Sequence, residues 1–113
     1  MPFIGNGKFP IKVVGESFYE DNLYSLCGSA TDHMRQLAAI AVLTLEGSNP
    51  YDRNAVRVDV DGLQVGHLSR EDALRFRRVT GARDGAQFSC PALLLSLRGD
   101  AASDYGVRLD LEF

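Results

Sequence analysis

Val56-Arg57-Val58-Asp59-Val60-Asp61-Gly62-Leu63-Gln64-Val65 is the stretch on which the fold turns. Apolar and polar residues alternate on both sides of Asp61-Gly62, and period-two alternation marks strands with one buried and one wet face. An Asp-Gly pair between two such runs is the sequence of a type I′ hairpin, whose central residues both need positive φ. Two antiparallel strands are therefore expected, with Val58 facing Val65. A lone hairpin is marginal in water, so the rest of the chain must add strands to it.

It does so on both sides. Upstream, residues 37–46 carry apolar side chains on both alternating faces, Ile40/Val42/Thr44 and Ala41/Leu43/Leu45, which predicts a central strand buried on both sides. Residues 11–15 read as a short strand ended by Gly15. Downstream, residues 88–97 form another apolar run, in which Pro91 implies an edge or a bulge. Tyr105, Val107, Leu109, Leu111 and Phe113 then alternate with small or polar residues in a last half-buried strand.

Two helices interrupt the strands. Ser17 and Glu20 have capping-box spacing, so a helix is expected from Phe18, with Tyr19, Leu23, Leu26 and Cys27 on one face and Gly28 as its stop. Ser69 and Asp72 start a second, with Leu68 and Ala73 as a hydrophobic staple. Its inner face is Ala73, Phe76 and Val79; Arg70, Arg77 and Arg78 lie on the other side. Residues 28–36, including His33, read as a polar loop. Residues 98–103 read as a turn, and Arg98-Gly99-Asp100 within it is turn chemistry rather than an adhesion motif. Five or six strands with two short helices in this length predict a mainly β fold, a small barrel or sandwich, a class that includes the oligonucleotide-binding barrels.

Composition bounds the function. The chain has 113 residues, 45% hydrophobic and 24% charged, the make-up of one ordinary globular domain, read here as residues 1–113. Its first residues lack the order of a secretory signal, and the longest apolar run, residues 37–43, is far short of the ~20 needed to cross a bilayer. A cytoplasmic, reducing location is expected, and no membrane partner. Cys27 and Cys90 sit among apolar residues without ligand spacing, so they read as buried thiols rather than a disulfide or a zinc site. No nucleophile, triad, phosphate loop or metal spacing occurs, so no enzyme activity, metal or cofactor is expected. The net charge of −3 and pI near 5.2 weigh against indiscriminate nucleic-acid binding. Arg70, Arg75, Arg77, Arg78 and Arg83, however, concentrate positive charge in one short stretch.

The order of three motifs is diagnostic: Val13-Val14-Gly15-Glu16-Ser17-Phe18-Tyr19, then Asn49-Pro50-Tyr51-Asp52-Arg53-Asn54-Ala55-Val56, then Asp61-Gly62-Leu63-Gln64-Val65-Gly66-His67-Leu68-Ser69-Arg70-Glu71. In this the chain closely resembles the HIRAN domain over residues 11–80, and within that family its long Tyr19-to-Asn49 stretch looks like the bacterial standalone branch. The resemblance implies a small modified OB-like β-barrel. It also implies a non-catalytic module that grips single-stranded DNA at an end with a free 3′ hydroxyl, in a repair or replication setting, beside a helicase or nuclease partner.

Carried onto this chain, the resemblance makes Phe18 or Tyr19, together with Tyr51, the rings that stack on the terminal base. It makes Asp52 the hydroxyl acceptor, Asn49 and Asn54 polar shapers, and His67 and Arg70 the phosphate neighbours. Ser17 stands where the DNA-binding members carry a basic residue. Each position also has a bland use: Asp52 and Asn54 suit a tight turn, His67 shares a strand face with Val65, Tyr19 falls in the helix's core register, and the helix arginines suit a solvated face. A protein-interaction or regulatory domain that kept the barrel without DNA binding is the alternative function.

Overall fold

The hairpin forms as its turn residues require. Asp61 and Gly62 adopt φ of 50° and 78°, the left-handed pair of a type I′ turn, and Val60 faces Leu63 across it. In the computed structural model, which describes residues 5–31, 33–98 and 104–113, this hairpin joins β3 (Val56–Val60) to β4 (Leu63–His67). The other elements are β1 (Ile11–Lys12), a 3₁₀ turn (Glu16–Tyr19), α1 (Glu20–Cys27), β2 (Arg35–Leu45), α2 (Arg70–Thr80), β5 (Gln87–Ser96) and β6 (Tyr105–Leu109). Of the expected turn over 98–103, residues 99–103 lie outside the described residues.

All six strands form one antiparallel sheet in the order β1-β6-β5-β2-β3-β4. The sheet curls until its two edges meet: Val14, just past β1, bridges His67 at the end of β4, each amide donating to the other's carbonyl at 2.9 and 3.0 Å. The product is an OB-like half-barrel whose inner face holds the core. Ala41, Leu43, Val58, Val65, Leu94, Val107 and Leu109 are fully buried there, with Leu23 from α1 and Phe76 from α2. Phe76 meets Phe88 and Phe113 edge to face, at 5.3 and 5.7 Å.

Four local expectations fail for physical reasons. First, Val58 does not face Val65. It pairs with Gly66, because the register shifts by one residue next to Asp59 and Val65 becomes the extra residue of a β-bulge, a device that sharpens strand twist. Second, β2 is hydrogen-bonded on both sides but buried on one face only. Ile40 is 59% exposed, since both helices serve the concave side and nothing among the described residues covers the convex one. Third, Pro91 marks neither an edge strand nor a bulge. β5 is flanked by β2 and β6, and Pro91 sits where the β6 ladder ends: its carbonyl accepts from Asp110 N at 2.9 Å, and the reciprocal bond, which proline cannot donate, falls just beyond the last paired residues Ala92 and Leu109. Fourth, Ser17 caps nothing. Gly15, at φ 80°, starts the 3₁₀ turn early with a Phe18 N to Gly15 O bond, placing Ser17 inside the turn.

The second helix keeps its expected ends. Ser69 Oγ accepts from Asp72 N at 3.1 Å, and Gly81, at φ 61°, closes the other end on Arg77 O. Its faces differ from expectation, with Val79 59% exposed and Arg77 drawn inward. Both cysteines are free thiols, and burial pushes Cys90 up to about 12, leaving it inert at neutral pH. Among the described residues no helix is long and apolar enough to cross a membrane.

Candidate nucleic-acid interface

The 49–55 loop is built by its own side chains. Asn49 Oδ1 accepts from the amides of Tyr51 (2.8 Å) and Asp52 (3.1 Å), and Asp52 Oδ1 accepts from Asn54 N at 2.9 Å. These are Asx turns, in which a short polar side chain stands in for backbone. Arg77 fastens the loop from below: its Nε donates to Asn54 O (2.9 Å), Nη2 to Ala55 O (3.2 Å) and Nη1 to Asp84 Oδ1 (2.7 Å). The sequence placed Arg77 on an outward face; the structure makes it a clamp. Arg77→Gln is expected to cost about 1.5–3 kcal/mol, the worth of bonds to a charged donor, measured as a loss in urea-unfolding free energy. A loss below ~0.5 kcal/mol would remove the clamp.

Between this loop and the barrel seam lies a cleft of about 270 Å³, lined by Val14, Asn49, Tyr51, Asp52, Ala55, His67, Leu68 and Arg70. Five of the eight residues expected to bind thus converge: Asn49, Tyr51, Asp52, His67 and Arg70. The Tyr51 ring is 89% exposed, held at the rim by a backbone that Asn49 fixes. Asp52 spends one carboxylate oxygen on the loop, and its Oδ2 has no partner among the described residues. Arg70 is exposed and likewise makes no hydrogen bond or ion pair among them. His67 Nε2 lies 2.8 Å from Glu46 Oε1, so the imidazole is oriented by a carboxylate rather than left free.

The other three expected residues stand apart. Phe18 and Tyr19 border a separate depression formed by residues 17–22; Phe18 is 85% exposed and Tyr19 half-buried. Phe18 is tied to the cleft through the chain, four residues beyond Val14, but no ring contact joins it to Tyr51 among the described residues. Asn54 is exposed, outside the cleft, and contributes backbone to the loop.

Sequence reading missed the apolar floor and Glu46. Val14 had a usable signal, since alternation turns it away from the fully buried Val13, and it is 40% exposed. Glu46 had none, because its approach to His67 depends on where two separate strands end.

An OB-like half-barrel whose seam carries an apolar-floored cleft, rimmed by polar side chains and a projecting ring, defines a small β-barrel binding module. The profile of the HIRAN domain family matches residues 6–90, and the chain belongs to that family. The HIRAN domain is a binding domain, and membership implies a DNA-binding module. Among solved structures, a protein from Lactobacillus plantarum aligns with a TM-score of 0.51 at 19% identity, covering 88% of this chain and 85% of that one, a likeness of fold. The crystal structure of the HIRAN domain of human HLTF aligns with a TM-score of 0.44 at 23% identity, covering 88% and 70%. Comparison with curated proteins found no match.

Proposed function

We propose that the cleft holds the last nucleotide of single-stranded DNA bearing a free 3′ hydroxyl, so that the domain, acting as one unit over residues 1–113, delivers a larger repair or replication machine to strand ends. The observation that carries this reading is the Tyr51 ring, 89% exposed on a loop fixed by its own hydrogen bonds. A large apolar ring held in water without a protein partner is a surface for a base, and stacking is worth ~1–3 kcal/mol whatever the base. Asp52 Oδ2 can accept a hydrogen bond from a hydroxyl, whereas the same carboxylate repels a terminal phosphate. Arg70 offers a two-pronged donor to the preceding phosphate, and His67 closes that side. The domain itself does no chemistry in this reading; catalysis belongs to a helicase or nuclease partner, in the cytoplasm.

Fluorescence anisotropy with short oligonucleotides tests the proposal. A free 3′ hydroxyl is expected to bind about tenfold or more tightly than a 3′ phosphate, the worth of one charge-assisted hydrogen bond. Asp52→Asn should erase that preference. Equal binding of both ends by the native protein removes end recognition. The second reading, a protein-interaction domain, draws on the net charge of −3 and on the pairing of His67 with Glu46, which leaves Arg70 as the cleft's unpaired cation among the described residues. Absence of binding to any oligonucleotide at moderate salt would favour it.

A further inference from the structure

The far end of β2 carries a second opening. Cys27, Arg35, Gln36, Leu37, Leu94 and Ser96 line a half-open depression of about 170 Å³. Arg35 begins the 11-residue strand whose other end leads into Glu46, so this opening lies roughly 30 Å of strand away from the Glu46–His67 pair. It is independent of the nucleic-acid reading.

Three features fit a ligand rather than a packing gap. Ser96 is 2% exposed, lines the cavity, and makes no side-chain hydrogen bond among the described residues. Its hydroxyl belongs to the lining of the opening, where it can donate to or accept from a bound atom. Leu37 shares the inward register of Ala41 and Leu43 yet is 46% exposed, because no side chain among the described residues covers it. Arg35 uses Nη2 on the carbonyl of Ser29, and its remaining guanidinium N–H groups have no partner among the described residues.

The chemistry of this lining is divided. Leu37, Leu94 and the neutral thiol of Cys27, whose ionisation burial opposes, make an apolar wall. Arg35 and Ser96 make a polar one. A cavity of 150 Å³ takes a benzene ring, and an arginine fork matches a carboxylate. We propose that this opening binds a small organic carboxylate with one apolar group about the size of a single ring, the carboxylate on Arg35 and Ser96 and the ring against Leu37 and Leu94.

Benzoate is the probe, titrated into the whole chain and followed by amide chemical shifts. Saturable changes at millimolar concentration centred on Leu37, Leu94 and Ser96 are expected. Arg35→Gln should weaken binding at least tenfold. Leu37→Trp, at a half-exposed position that can hold a larger side chain, should fill the space and abolish binding. In both variants the affinity for oligonucleotides should match that of the native protein, so failure here and failure of the strand-end reading are separable. Shifts that do not saturate, benzyl alcohol binding as well as benzoate, or undiminished benzoate binding in Arg35→Gln would each overturn the proposal.

Discussion

Gly66→Ala lowers the stability of the fold by about 3 kcal/mol, the sum of a strained backbone and an overpacked seam. Gly66 sits at φ 152°, and a Cβ there would lie 2.4 Å from the Val14 carbonyl oxygen and 2.6 Å from Val13 Cγ1. Neither neighbour can yield cheaply. The Val14 carbonyl accepts from His67 N in the bridge that joins the sheet's two edges, and Val13 is fully buried. The substitution therefore separates the seam that forms one wall of the cleft. Urea unfolding gives the size of the effect, and faster hydrogen exchange at the amides of Val14 and His67 gives its location. Gly62→Asn is the control, because its φ of 78° also favours glycine but a Cβ there meets nothing within 4 Å. Asparagine tolerates that conformation, so a loss below about 1 kcal/mol is expected. Similar losses in the two variants would mean that close approach at Gly66 is not the cause.

Tyr51→Ala separates binding from folding in the opposite sense. With 89% of the residue in solvent, removing its ring deletes almost no buried surface, so the melting temperature should stay within error. Affinity for an oligonucleotide with a free 3′ hydroxyl should fall by about 5- to 150-fold, the range of ~1–3 kcal/mol for a lost stack. Phe18→Ala should follow the same pattern if its ring flanks the same base. An unchanged dissociation constant in Tyr51→Ala, measured by anisotropy on a protein with native melting behaviour, would end the stacking role. Because Arg77→Gln loosens the loop that presents Tyr51, it should lose stability and affinity together, which sets it apart from Tyr51→Ala.

Much of the site was legible because its builders are local. Asn49, Asp52 and Asn54 form turns within seven residues, so their identities alone imply the loop they make. The Asp61-Gly62 hairpin and the Ser69 cap belong to the same class of short-range chemistry. Ser17 shows the limit of that reasoning: its spacing fits a cap, but the left-handed Gly15 two residues earlier starts the turn first.

The strands, the ends of α2, the hairpin turn and the family were set by the order of residues along the chain, since alternation, caps and turn preferences act over a few bonds. Tertiary structure alone decided that the sheet curls until Val14 meets His67, that Gly66 rather than Val65 faces Val58, and that Arg77 turns inward to the loop carbonyls. It also decided which face of β2 stays wet. The reason is the range of the forces involved: a bulge, a seam and a clamp join residues 7 to 53 positions apart, and packing selects them only once the core has closed.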